Sequence, residues 1–246
     1  MRDYGISEEW TDKKYKAAYT IGSVLGLIAE LKNINTVWIW DFTAGPGIDP
    51  NGQKNVLINV IDGFCLSSSI RRLRCVAIED DPHRHGKLVE SIKKSGYSQQ
   101  VSTRCGSFAN VVSPGEVTGW GAVLFDPMPN KKAIADTQDL VRLAGNLDII
   151  TYWSLTNLKR LKIKPQEWLK IITVNGRNNV LWNDPPVGKG SSNSFQWAWL
   201  WASQAKLKGP FDFKDGGKIK VLNPCKDYKW QRTNKTLPRQ LELFEF

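Results

Sequence analysis

Three apolar runs in this chain end in acids, and one of those acids opens a glycine-rich turn. Asp41 closes "TVWIWD" and is followed by "FTAGPGIDPNGQ"; Glu79 and Asp80 lie in "RCVAIEDD"; Asp126 follows "GAVLF". Gly45 and Gly47 permit a backbone that approaches a ligand closely, and Pro46 between them stiffens the turn. A turn of this kind after a strand suits either a diphosphate or a small cation. Dinucleotide sites require G-x-G-x-x-G opening directly into a helix, so that phosphates meet the helix N-terminus. Here Pro50 occupies the third glycine position and "IDPNGQ" is a loop. An acid beside the turn also disfavours a diphosphate.

A nucleoside bearing positive charge fits better. S-adenosylmethionine carries an amine and a sulfonium and no phosphate, and Asp41 is placed to partner the amine directly or through water. Thr43, Gly45 and Gly47 line the same turn. An acid at the end of the second strand accepts both ribose hydroxyls; Glu79 is the expected residue, with Asp80 its neighbour if the register slips by one. Ser107 and Phe108 in "CGSF" stand at the end of the third strand, a polar contact and a wall for the adenine. The plainer reading of Glu79 is a solvated acid near a helix N-terminus.

The elements that must position these residues follow from periodicity. Apolar residues at three- and four-residue intervals place a helix over residues 8–32, and "VLINVIDGF" reads as the next. "PHRHGKLVESIKKSG" is a helix that Gly96 stops, and "KKAIADTQDLVRLAG" is a fourth. Strands are expected at "TVWIWDF", "RCVAIEDD", "QQVSTRCG", "GAVLFDP" and "LDIITYWSL". The alternation implies an α/β fold with a mainly parallel sheet covered on both faces. Past residue 165 the pattern changes: Asn175-Gly176 sits between two β-rich runs, a hairpin signal, and the tryptophan-dense "SFQWAWLWAS" reads as a late antiparallel strand. A domain over 1–205 with a basic extension over 206–246, packed on or continuing it, is the expected organisation.

Charge points to the partner. The formal net charge is +10, and Gln204 to Arg239 holds ten Lys and Arg against three Asp, a net of +7. Basic charge concentrated in one segment suits a polyanion, DNA or RNA, although a solvated face is the bland alternative. "CKDYKWQR" and "RTNKTLPR" interleave cations with Tyr228 and Trp230, as single-strand binders do, so Lys226, Lys229, Trp230 and Arg232 are candidate substrate contacts. The four cysteines lack C-x-x-C spacing and are expected reduced and mostly buried, in a cytoplasmic protein. No apolar run approaches the roughly 20 residues a bilayer needs. His83 and His85, two apart on different helix faces, do not form a metal site, and no metal is expected.

The motifs "DFTAGPG", "IEDD" and "LFDPMP", in this order, resemble the class I S-adenosylmethionine-dependent methyltransferases. The chain is also similar to the three-Cys-motif partner proteins, through "DKKYKAAY" on the first helix, the glycine-containing insertion and "FQWAWLW". The resemblance implies a Rossmann-like sheet and a transferable methyl facing Asp126 and Pro127, the expected catalytic pair. Amine methylation of a flipped base uses Asp/Asn-Pro-Pro-aromatic here. Met128 and Pro129 depart from that pattern, so Phe108 or Tyr152-Trp153 would have to supply the stack. A ribose hydroxyl acceptor would instead enlist Asp126 with Lys14 or Lys159, but no matching glutamate stands in the late strands. The second "NDPP", Asn183 to Pro186, reads as a turn. A methyltransferase acting on nucleic acid is the leading expectation. A catalytically silent cofactor-binding or partner-binding subunit and a plain nucleic-acid-binding module are its rivals.

Overall fold

A computed structural model describes residues 8–48, 52–126, 132–154, 170–177, 179–183, 197–204, 212–213 and 217–222. The element order is α1 (Glu8–Leu31), β1 (Val37–Asp41), α2 (Val56–Ser67), β2 (Leu73–Glu79), α3 (Pro82–Lys94), β3 (Val101–Cys105), α4 (Phe108–Val111), β4 (Trp120–Phe125), α5 (Ala133–Leu143), β5 (Asp148–Ser154), β6 (Asn179–Asn183), β7 (Trp197–Ser203), β8 (Asp212–Phe213) and β9 (Gly217–Leu222). The sheet runs β3-β2-β1-β4-β5-β7-β6-β9-β8. Pairing is parallel from β3 through β5 and antiparallel from β7 onward. This is the Rossmann-like class I methyltransferase arrangement, with an antiparallel β7 inserted between β5 and β6. Because β9 pairs with β6, the sheet continues past residue 205.

Strand order reverses between β1 and β4, and an open sheet of this type leaves a crevice beyond the carboxyl ends there. Alternation along each strand divides the core in two. Ile39, Ala77, Leu124 and Tyr152 join α1 and α2 on one face. Trp40, Ile78, Val123 and Phe125 join α4 and α5 on the other. Trp38 and Trp40 share a strand face as expected, their rings 6.4 Å apart. Trp201 is buried and its indole N–H donates to Asp148 at 2.8 Å.

α1 and α2 cross in close contact through two glycines. A Cβ on Gly22 would lie 1.9 Å from the Val60 carbonyl oxygen, and one on Gly63 would lie 1.8 Å from that of Tyr19. Glycine inside a helix costs about 1 kcal/mol relative to alanine, and this backbone-to-backbone approach offsets it. The contact fixes the helix that carries Lys14.

Two expectations are corrected. Asn175-Gly176 is not a hairpin: residues 170–172 are helical, and β6 pairs with β7 and β9 instead. Asn175 (φ 58°) turns the chain out of a helix, a conformation asparagine tolerates. Arg177 then anchors it, fully buried, donating to the carbonyls of Leu147 at 2.7 Å and Gly145 at 2.5 Å. The described cysteines are less buried than expected, and Cys225 lies outside the described residues. Cys75 is buried in β2, but Cys65 lies on the outer side of α2 and Cys105 at the tip of the edge strand β3, both exposed. Among the described residues no helix is long and apolar enough to cross a membrane.

Candidate functional site

The tips of β1, β2 and β4 bring Asp41, Glu79 and Asp126 to one end of the sheet. Their placement follows from register: Asp41 pairs with Ala77 and with Leu124, so Glu79 and Asp126 each lie two residues beyond its level. Asp41 is 2% exposed and its Oδ1 accepts the Thr43 N–H at 3.0 Å. Burial pushes its carboxyl up to about 7, with the Asp126 and Glu79 charges adding to the shift; the Thr43 N–H and Lys14 oppose it.

The turn after β1 is stitched on both sides. Phe42 N–H donates to the Leu124 carbonyl at 3.1 Å and Ala44 N–H to that of Ile78 at 2.9 Å. Thr43 Oγ1 accepts the Asp126 N–H at 2.7 Å, joining the turn to the end of β4. Gly45 and Gly47 both take positive φ, 67° and 88°. At Gly47 a Cβ would come within 2.3 Å of Ser91 Cβ on α3, so the position also excludes side chains by contact. Ser91 Oγ accepts from Ile48 N–H at 2.9 Å and donates to Pro46 O at 3.1 Å. Asn55 caps α2 through Ile58 N–H at 2.9 Å and donates to the Ala44 carbonyl at 2.7 Å. These two polar supports were not anticipated from sequence. A small polar residue just ahead of the α2 periodicity is the signal that could have found Asn55.

Glu79 is buried at the end of β2. Its Oε1 accepts the Asp81 N–H at 3.1 Å, and Arg84 from the first turn of α3 pairs with its Oε2 at 3.3 Å. Burial and the neighbouring Asp80 raise its affinity for a proton, while Asp81 N–H and Arg84 lower it. Asp80 itself is exposed. Ser107 is exposed too and makes no side-chain cap bond to α4. Phe108 is buried, stacked on Phe42 with centroids 5.0 Å apart and edge-on to Phe125 at 5.6 Å. It lies between Phe42 and Phe125 in a run of ring contacts that continues through Trp40 to Trp38.

Around Asp126 the character changes. Lys14, 112 residues earlier on α1, forms an ion pair with Asp126 Oδ2, their side chains 20% and 24% exposed. The Lys14 ammonium also stands 4.8 Å from the centre of the Tyr152 ring. Burial and the Asp126 charge push the Tyr152 phenol above its ordinary range. Lys14, Asp126 and Tyr152 therefore form one cluster at the tips of β4 and β5. Pro127, Met128, Pro129, Lys159 and residues 184–186 lie outside the described residues, as does the side chain of Trp153. So do Lys226, Lys229, Trp230 and Arg232. Among the described residues no group of three or more His, Cys, Asp or Glu could hold a metal ion.

No family model and no curated protein matches the chain. Among solved structures, it is similar to a Legionella pneumophila protein of the family model DUF519, at 13% identity and TM-score 0.54, over 85% of this chain and 96% of that one. It is also similar to the methyltransferase domain of a bacterial Hen1, at 12% identity and TM-score 0.48, covering 77% and 100%. A third is the O-methyltransferase TomG of Streptomyces achromogenes in complex with SAM, at 12% identity and TM-score 0.47, covering 75% and 79%. At 13% identity the likeness to the Legionella protein concerns the fold alone, and it is the strand order β3-β2-β1-β4-β5-β7-β6 that makes this the class I methyltransferase fold.

Proposed function

We propose that the chain is an S-adenosylmethionine-dependent methyltransferase acting on nucleic acid. One observation carries the cofactor reading: a buried acid, Asp41, and a glycine turn of positive φ meet a second buried acid, Glu79, at the strand-order reversal. The donor set suits a cationic nucleoside. Asp41 would meet the amine, Glu79 the ribose, Gly45 and Gly47 the backbone-facing side, and Ser107 and Phe108 the adenine. When bound, the cofactor supplies an electrophilic methyl group. The acceptor is held beside Asp126, whose carboxylate orients it and takes its proton, with Pro127 following; the Lys14 ammonium pairs with that carboxylate. Tyr152, beside Lys14, would border the acceptor. The lysine-bearing first helix is what supports the narrower likeness to the three-Cys-motif partner proteins.

The polyanion reading rests on the net charge of +10 and its concentration after residue 204. Incubation with radiolabelled cofactor and separate pools of DNA, RNA and protein tests both parts. Label in a nucleic-acid pool is expected; cofactor binding with no label in any pool favours the silent binding subunit instead. Neutralising Lys226, Lys229 and Arg232 together should flatten the log–log dependence of binding on salt by about two to three. An unchanged slope would return the segment to a solvated face.

A further inference from the structure

We propose that Arg84 is a positioning residue for the ribose end of the cleft, holding the Glu79 carboxylate in the orientation that meets a vicinal diol. The proposal rests on the S-adenosylmethionine reading above. A carboxylate is an acceptor on both of its oxygens, and two adjacent hydroxyls are two donors. The Asp81 N–H donates to Oε1 at 3.1 Å, and the Arg84 guanidinium forms an ion pair with Oε2 at 3.3 Å. The Asp80 side chain also bonds to this carboxylate, so Arg84 is the one cation among the groups that set its orientation.

The local sequence builds this geometry. Asp81 is the N-cap of α3: its Oδ1 accepts the Arg84 N–H at 2.8 Å while its own N–H serves Glu79. That cap fixes the first turn and with it the root of the Arg84 side chain. The guanidinium reaches the glycine turn as well, since a Cβ on Gly45 would lie 3.7 Å from Arg84 Nη2. Arg84 thus borders both the turn and the ribose acid, with its side chain 46% exposed and Glu79's only 2%.

Charge gives the arrangement its second purpose. The charged groups acting on Glu79 are Asp80 on its own strand end, Asp41 on β1 and Arg84 on α3. Burial and Asp80 favour the protonated carboxyl, and the Asp81 N–H and the Arg84 cation oppose it. A protonated Glu79 presents a donor where the diol needs an acceptor. Removing Arg84 raises the pH at which that happens, so the cost of the substitution grows as pH falls.

Calorimetry with S-adenosylhomocysteine from pH 5.5 to 8.5 reads this directly, taking the affinity ratio of variant to wild type so that proton uptake elsewhere cancels. Arg84→Met should bind about threefold weaker at pH 8.5 and tenfold or more weaker at pH 6, on the linkage between proton binding and ligand affinity. Arg84→Lys, keeping the charge, should stay within about threefold of wild type throughout. In a Glu79→Gln background the Arg84→Met ratio should become independent of pH. A ratio that does not change with pH in the Glu79 protein, or one that still changes in the Gln background, overturns the proposal. If the wild-type protein binds no S-adenosylhomocysteine at millimolar concentration, the cofactor reading itself falls, and this inference with it.

Discussion

The crevice has two ends of different build. At the β1 and β2 tips Asp41 and Glu79 are nearly excluded from water, and a backbone N–H bonds each. At the β4 and β5 tips Asp126 is about a quarter exposed, and its side-chain partner is the flexible Lys14. Buried carboxylates held by the backbone are pre-organised for a ligand that is always the same. A partly exposed acid on a lysine can change partners when an acceptor arrives. Under the proposed function, the contrast suits recognition at one end and chemistry at the other.

The sharpest test sets the two ends against each other. Asp126→Asn should lower methyl transfer by at least about 100-fold, the usual range for a lost proton acceptor. Affinity for S-adenosylhomocysteine should stay within about threefold by calorimetry. Normal turnover would remove Asp126 from the chemistry and erase the distinction.

Next comes the support for the Lys14 end. Gly63→Val drives a branched side chain into the Tyr19 carbonyl and should cost about 3 kcal/mol or more in chemical denaturation. A substitution tolerated without loss would mean that α1 is not pinned at this crossing.

Asp41 gives a smaller effect of the opposite sign. Its carboxyl is raised to about 7 in the folded protein, against an ordinary value of 3.8. Burial thus disfavours the ionised form, and the native state loses stability as pH rises from about 4 through about 7. Asp41→Asn, which can still accept the Thr43 N–H, should stabilise the ligand-free protein by about 1–3 kcal/mol at pH 8 and do little at pH 4. The same variant should bind cofactor more weakly. Equal stability at both pH values would show that Asp41 is not held against its charge.

The smallest effect is Glu79→Ala, expected to weaken cofactor binding by about tenfold, or 1.4 kcal/mol. Turnover at saturating cofactor should be largely retained. A fall in turnover with intact affinity would reverse the assignment of the two ends.

Much of the recognition end was legible in sequence because it is local. An acid closing an apolar run, then glycines in a turn, reports its own geometry, and Asp41, Gly45, Gly47 and Glu79 all fall within the turn or at the strand tips. The parallel strands were legible because burial on both faces makes them near-continuous apolar runs. What sequence concealed depends on packing across the chain. Sequence set Asp126 with Lys14 or Lys159 only as parts of a ribose hydroxyl reading; the direct ion pair of Lys14 with Asp126, 112 residues apart, is a product of packing. Arg84 meets Glu79 only because α3 is packed beside the end of β2. The Asn175-Gly176 signal misled because the same dipeptide that closes a hairpin also ends a helix, and Arg177, a charged residue that sequence alone would leave in water, anchors the chain instead.

The glycine crossing of α1 and α2 acts as a fulcrum. Lys14 lies eight residues before Gly22, a lever arm of about 12 Å at the helical rise. Tilting α1 by ten degrees about that point would swing the ammonium by roughly 2 Å, enough to part it from Asp126. Interlocked backbones resist such a tilt, so the ammonium is presented at a set height above the sheet. The Lys14 side of the crevice is thereby a fixed gauge against which acceptors of different bulk would be sorted.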